Sequence, residues 1–141
     1  EQYEQQIKKI ASGLRNNEKI IFTGFRKDIP ELIAASDIIA VPSHAEAFGN
    51  AAIEAMAAAR PVVSSNTDGL IDIVVEDETG FRVPSKNPGK LAEALIELID
   101  DPELRIKFGA AGQKRVELMF NESKQTKKLE NIFMKLIEQN D

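Results

Sequence analysis

Two carboxylates and the short segment between them are the residues of this chain whose types and spacing best suit chemistry. Glu46 and Glu54 stand eight positions apart, and Phe48, Gly49 and Asn50 lie between them, directly before an alanine-rich run. Free N–H groups at the start of a helix carry partial positive charge and bind phosphate. Carboxylates accept hydrogen bonds from hydroxyl groups. This stretch can therefore hold an anion beside a hydroxyl-bearing ligand such as a sugar.

The elements around this stretch are predicted to alternate between strand and helix. The apolar run 37–41 is predicted as a buried strand, which Pro42 stops because proline cannot donate to a ladder. Asn50 is predicted as the N-cap of a helix over 51–59. The loop 43–49 then lies at the carboxyl end of the strand, where open α/β sheets bind their ligands.

Further strands and helices are predicted on both sides of this unit. Residues 1–17 carry an apolar stripe typical of a helix, and the β-rich run 19–24 is predicted as a strand. Short strands are also predicted at 62–63 and 81–83, and the chain after Pro84 is predicted to be wholly helical. This alternation predicts an α/β fold with three layers, a Rossmann-like parallel sheet with helices on both faces and a helical carboxyl-terminal stretch.

Composition limits the classes of function. The 141 residues are predicted to form a single domain, and 43% hydrophobic with 29% charged residues is typical of a soluble globular protein. A net charge of -5 without a basic block gives no support for a nucleic-acid partner. The absence of cysteine excludes disulfides and thiol catalysis, and a single histidine excludes a histidine metal cluster. No membrane-spanning run or signal peptide is visible, and we expect a cytoplasmic protein.

The pattern around the two glutamates resembles a known family. Glu46 and Glu54 with Phe48-Gly49 between them look like the E-x(7)-E signature of retaining glycosyltransferases that have the two-domain GT-B fold. The resemblance continues through three further segments, 61–63, 68–72 and 79–84. The family usually has glycine where Ala59 stands and glutamate where Asp72 stands.

The resemblance implies a fold and an activity for a longer protein. Residues 1–141 would be its carboxyl-terminal, nucleotide-sugar-binding domain, and an amino-terminal domain would bind the acceptor. The enzyme would move a sugar from a nucleotide-diphosphate sugar, most often a UDP-sugar, to the acceptor with retention of anomeric configuration. It would need no metal and no cofactor. We expect this fragment alone to be inactive, because the family's first strand, with an arginine and a lysine for the diphosphate, would precede Glu1.

The resemblance also implies roles for individual residues. Glu46 would be the catalytic carboxylate, in contact with the donor sugar near its reacting carbon, and Glu54 would accept hydrogen bonds from the ribose hydroxyls. The other residues expected to bind the nucleotide sugar are Phe25 and Arg26 beside the base, Phe48, Gly49, Asn50 and Ala51 at the sugar and diphosphate, and Thr67, Asp68 and Gly69 in a second loop. The acceptor is not indicated and could be a carbohydrate, a lipid or a small molecule. Any peripheral membrane association would come only through the full-length protein.

Structural roles stay open beside these functional ones. Glu46 could cap local N–H groups, Glu54 could be an ordinary surface residue, and 67–69 could form an ordinary turn. Phe25 and Phe48 could cover the core. Two other functions also stay open, a nucleotide-sugar epimerase with a similar fold and a non-catalytic nucleotide-sugar-binding module.

Overall fold

The computed structural model describes residues 2–138, apart from the side chains of 122–124, 136 and 138. In this part of the chain, two α-helices precede the first strand, helices and strands alternate from there to the last strand, and only helices follow it. The helices are α1 Gln2–Ser12, α2 Ile29–Ala35, α3 Asn50–Ala57, α4 Asp68–Ile71, α5 Pro88–Asp100, α6 Pro102–Met119 and α7 Glu122–Glu138. The strands are β1 Ile39–Val41, β2 Val62–Ser65 and β3 Gly80–Val83.

The three strands form one parallel sheet in the order β1-β2-β3. Ile39 of β1 is opposite Val62 of β2, which is in turn opposite Gly80 of β3. Parallel neighbours cannot be joined by a tight hairpin, so each connection crosses over the sheet. The connection from β1 to β2 contains α3, and the connection from β2 to β3 contains α4. All three carboxyl ends therefore open at the same edge.

Two apolar clusters cover the two faces of the sheet. Successive residues of β2 point to opposite faces, so Val62 packs in one cluster and Val63 in the other. The first cluster includes Met56 of α3, and the second includes Leu98 of α5. In the second cluster, the rings of Phe81 and Phe108 meet edge to face, with their centroids 5.2 Å apart. The predicted α/β fold with helices on both faces is confirmed.

The run 19–24 is not a strand, which corrects the sequence prediction. A single 3-10 turn occupies Asn17–Lys19, and residues 20–24 pair with no strand in the described part of the chain. The side chain of Ile21 is 81% exposed and that of Phe22 is 45% exposed. β-Propensity reflects how well a residue fits a packed, pleated surface. A run of β-prone residues such as 20–24 therefore does not form a strand when no other strand lies beside it.

The terminal helices carry apolar side chains that the described structure leaves in solvent. In α7, Leu129 is 52% exposed and Phe133 is 56% exposed, although both belong to the apolar stripe predicted from the sequence. In α1, Ile10 is 69% exposed. No helix within residues 2–138 is both long and apolar enough to cross a membrane.

Candidate functional site

An open pocket of about 740 Å³ lies at the carboxyl edge of the sheet. Loops that follow all three strands line it. These residues are His44, Ala45, Glu46 and Ala47 after β1, Asn66, Thr67 and Asp68 after β2, and Ser85 after β3. Open α/β sheets bind their ligands at this edge. We call this cavity the carboxyl-edge pocket. It brings together three of the residues singled out from the sequence, Glu46, Thr67 and Asp68.

The carboxylate of Glu46 is held by its own loop. Its Oε1 accepts hydrogen bonds from the N–H groups of Gly49 (3.1 Å) and Phe48 (3.5 Å). Its Oε2 lies 3.4 Å from the hydroxyl of Ser43, which donates to it. The side chain is half-buried and still lines the carboxyl-edge pocket. Glu46 therefore caps local N–H groups, one of the roles that the sequence left open, and it also lines the carboxyl-edge pocket.

Gly49, and not Asn50, is the N-cap of α3, which corrects the sequence prediction. Gly49 has φ 87°, a left-handed conformation that only glycine adopts readily, and Asn50 is the first helical residue. A Cβ at Gly49 would also lie 2.8 Å from Cδ2 of Leu70. The tight left-handed turn is possible only without a side chain, so the cap falls one residue earlier than the N-cap preference of asparagine predicts.

The start of α3 presents donors that have no protein partner. Ala52 and Ile53 donate their N–H groups to the carbonyl of Gly49, whereas the N–H groups of Asn50 and Ala51 have no partner among the described residues. Such N–H groups at the first turn of a helix carry its partial positive charge. The beginning of α3 can therefore donate hydrogen bonds to the oxygens of an anion.

Glu54 lies one turn further along α3, on the exposed face that also carries Asn50 and Ala51. Its side chain makes no hydrogen bond or ion pair with any described residue, and it does not line the carboxyl-edge pocket. The structure therefore places the two glutamates on different surfaces, Glu46 in the pocket and Glu54 beside the free N–H groups of α3.

The second loop is joined to the first by a backbone hydrogen bond. The N–H of Gly69 donates to the carbonyl oxygen of Glu46 at 2.9 Å, so this N–H is already used inside the protein. Thr67 is the N-cap of α4, and its Oγ1 is buried without a hydrogen-bond partner among the described residues. Asp68 is exposed and lines the carboxyl-edge pocket. Thr67 and Asp68 thus line the carboxyl-edge pocket, whereas Gly69 holds the two loops together.

Phe25 and Arg26 do not line the carboxyl-edge pocket. The side chain of Phe25 is 91% exposed. The guanidinium of Arg26 forms an ion pair with the carboxylate of Asp28, with Nε donating to Oδ1 at 2.7 Å. The hydrogen bond from Arg26 holds the pKa of Asp28 below its usual value, and the same bond raises the pKa of Arg26.

Ser85 is a pocket residue that the reading of the sequence missed. Its Oγ lies 3.5 Å from Nδ1 of His44, across the gap between the loops after β3 and β1. Ser85 follows a predicted strand by two positions, so the rule that placed Glu46 at a strand's carboxyl end could also have found it. The contact between Phe48 and Phe120, whose ring centroids are 6.4 Å apart, had no local signal because 72 positions separate the two residues.

Known proteins match this chain in sequence. Residues 1–115 match the sequence model of the family described as glycosyl transferases group 1. The chain is 33% identical over 128 residues to the capsular polysaccharide biosynthesis glycosyltransferase CapM of Staphylococcus aureus, a match that covers 91% of this chain and 34% of CapM. It is 48% identical over 82 residues to a D-inositol 3-phosphate glycosyltransferase of Corynebacterium efficiens, covering 56% of this chain and 19% of that protein.

Solved structures resemble this chain over nearly its whole length. HepE from Anabaena in complex with UDP superposes with a TM-score of 0.91 at 25% identity, covering 95% of this chain and 37% of HepE. HepE in complex with UDP-glucose superposes with a TM-score of 0.80 at 27% identity, over 95% of this chain and 36% of HepE. The chain thus spans little more than a third of these relatives, or less. It belongs to the glycosyl transferases group 1 family, with half of a GT-B fold.

Proposed function

We propose that this chain is the donor-binding domain of a glycosyltransferase that takes its sugar from a nucleotide-diphosphate sugar. The observation that carries the proposal is the adjacency of two features. Glu46 lines the carboxyl-edge pocket, and its carboxylate accepts from the N–H of Gly49, directly before the unpartnered N–H groups of Asn50 and Ala51 at the start of α3. The pocket offers acceptors for sugar hydroxyls, and the start of α3 offers donors for a diphosphate. HepE, which resembles 95% of this chain, has been solved in complex with UDP and with UDP-glucose.

Each group of the donor would then meet matching chemistry. The diphosphate would sit at the N–H groups of Asn50 and Ala51, and the sugar would reach back toward Glu46. Glu54, one turn along the same exposed face of α3, would accept hydrogen bonds from the ribose. The carboxylate of Glu46 would stabilise positive charge that develops on the sugar's reacting carbon as the diphosphate leaves. The backbone N–H groups of α3 would hold the anion, and we propose that neither a metal nor a cofactor is required.

The activity of the whole protein is part of the same proposal. A further domain would bind the acceptor, and the acceptor would attack from the face that the diphosphate leaves, which retains the anomeric configuration. We propose that the transfer takes place in the cytoplasm. The anomeric configuration of the product, measured by NMR with the full-length enzyme, tests the stereochemistry. A product of inverted configuration would contradict retention without affecting the proposed donor site.

The donor site itself is tested by amide chemical-shift mapping of this chain. UDP, GDP, ADP and NAD are titrated separately to millimolar concentration. We expect one diphosphate to shift the amides of 48–54 and 67–70, and we expect UDP to do so. The shifts should be lost in Glu54→Gln and kept in Glu97→Gln, which removes the same charge from an exposed position on α5. If no nucleotide shifts these amides, the proposal that this chain binds the donor is wrong.

A further inference from the structure

A second, smaller pocket lies beside the carboxyl-edge pocket, where β2 and β3 end and α5 begins. Its volume is about 210 Å³. The residues that line it include His44, Ser65, Val83, Lys86, Asn87 and Leu91. His44 lines both pockets, and Ser85, which lies 3.5 Å from the His44 ring nitrogen, lines the carboxyl-edge pocket. We call this second cavity the α5 pocket. The two pockets share one wall, so one ligand can extend from one into the other.

The polar groups of the α5 pocket offer hydrogen-bond donors without protein partners. Lys86 forms no ion pair with any described residue. Asn87 uses its Oδ1 to cap α5, accepting from the N–H of Lys90 at 3.0 Å, which leaves its amide group free to donate. Ser65 is only 2% exposed and lines the pocket, and its hydroxyl has no partner among residues 2–138. Polar groups on side chains this enclosed are normally hydrogen-bonded, so the Ser65 hydroxyl is available to a ligand in the pocket.

The start of α5 adds positive potential to these donors. α5 has 13 residues, its first turn contains no acidic residue, and Asn87 is its N-cap. Pro88 has no N–H, and the N–H of Gly89 has no partner in the described part of the chain. No carboxylate lines this pocket, in contrast to the carboxyl-edge pocket with Glu46 and Asp68. In a chain of net charge -5, the α5 pocket is thus a local site for a negative group.

We propose that the α5 pocket binds the negatively charged oxygen group, phosphate or carboxylate, of an anionic sugar. Lys86, Ser65 and the start of α5 would hold the oxygens. The apolar side chains of Val83 and Leu91 would pack against the carbon skeleton. The rest of this ligand would reach past His44 toward the donor, an inference that rests on the proposed function. On that basis the enzyme's acceptor, or the sugar it transfers, carries a negative charge.

Chemical-shift titration of this chain with four probes tests the proposal. The probes are inorganic phosphate, glucose 6-phosphate, glucuronate and, as the neutral control, glucose. The anionic probes should shift the amides of Ser65, Lys86, Asn87, Gly89 and Lys90, and glucose should not. A response to phosphate and glucose 6-phosphate alone identifies a phosphate group as the ligand, and a response to glucuronate identifies a carboxylate.

Matched variants separate a site from a general charge effect. Lys86→Gln should weaken binding about tenfold, as expected when one charge-assisted hydrogen bond is lost. Lys90→Gln removes the same charge one turn away, where the ammonium is paired with Glu93 at 2.5 Å, and should leave binding unchanged. Asn87→Asp keeps a good N-cap, so α5 stays intact, but it places a negative charge in the pocket and should abolish binding.

Three results would contradict the proposed anion site in the α5 pocket. The proposal is wrong if no anionic probe shifts these amides up to its solubility limit, or if phosphate shifts only 49–53 at the start of α3. It is also wrong if Lys90→Gln weakens binding as much as Lys86→Gln does. A different result would contradict the donor site alone. In that case UDP would shift no amides at 48–54 and 67–70, while the anionic probes would still shift the amides of the α5 pocket.

Discussion

Gly69 lies directly against the backbone of Glu46. Its N–H donates to the Glu46 carbonyl oxygen at 2.9 Å, and a Cβ added to Gly69 would lie 2.4 Å from the same oxygen. The loops that follow β1 and β2 thus meet at a point where no side chain fits. The position of the Glu46 carboxylate in the carboxyl-edge pocket depends on this contact as well as on the N–H of Gly49.

Gly69→Ala should therefore lower stability and move the first loop. Because the added methyl group meets backbone atoms, which cannot rotate away, we expect a loss of about 1–3 kcal/mol in the free energy of unfolding. Urea denaturation measures it. Gly89→Ala is the control, since its Cβ would come no nearer than 3.5 Å to another atom and alanine favours a helix. Equal stability of Gly69→Ala and the natural chain would contradict the close contact.

The two glutamates should differ in their effect on stability. Glu46→Ala removes the acceptor for the Gly49 N–H, and we expect a loss of about 1 kcal/mol, typical of a lost hydrogen bond. Glu54→Ala removes an exposed side chain without partners in the described structure, and we expect a change within about 0.5 kcal/mol. Both substitutions should abolish the UDP-induced amide shifts. Equal losses of stability in urea would show that Glu46 is not a cap.

Ala59→Gly should stabilise the chain. Ala59 has φ 54°, and the N–H groups of Ala59 and Arg60 donate to the carbonyls of Met56 and Ala55, which is the Schellman arrangement at the end of α3. The left-handed conformation costs alanine more than glycine, and the greater freedom of glycine in the unfolded chain offsets part of the difference. We expect a net gain of about 0.5 kcal/mol, measured by urea denaturation.

Ala57→Gly is the matched control for this effect. Ala57 is an exposed helical residue of the same α3, so glycine there should lower the free energy of unfolding by about 1 kcal/mol. The same loss in Ala59→Gly would contradict the conformation that the structure assigns to Ala59.

The ion pair between Arg26 and Asp28 should affect the titration of the Asp28 carboxyl group. Its pKa is held down by the Arg26 hydrogen bond, so Arg26→Gln should raise it toward the usual value of about 3.9. Because the folded-state pKa is the lower one, the pair stabilises the fold above the unfolded-state value, and this contribution is lost as the pH falls through the folded-state pKa. Carbon-13 NMR of the carboxyl group measures the shift. Lys27→Gln removes the same charge one position away and should leave it unchanged.

Addition of UDP extends the same measurement to the predicted role of Arg26. If the base displaces Asp28 from the guanidinium, the pKa of Asp28 should rise on titration with UDP. An unchanged pKa at saturating UDP would show that Arg26 does not leave Asp28 for the nucleotide.

Much of the site could be predicted from local sequence. The apolar run before Pro42 and the alanine-rich helix after Asn50 define a strand, a loop and a helix, and this order alone puts Glu46 at a strand's carboxyl end. The spacing of Glu46 and Glu54 carried the resemblance to the family that the comparisons show. These features depend on neighbours in the chain, which is why the sequence alone was sufficient to predict them.

Other features depended on contacts between distant segments, and only the tertiary structure decided them. Residues 20–24 have strand-like composition but no neighbouring strand in the described structure, and a ladder requires a partner. Gly49 replaces Asn50 as the N-cap because Leu70 occupies the space beside it. Gly69 is needed because the backbone of Glu46 comes within hydrogen-bonding distance. Local propensity determines which conformations a segment can adopt, and packing against residues far away in the chain selects among them.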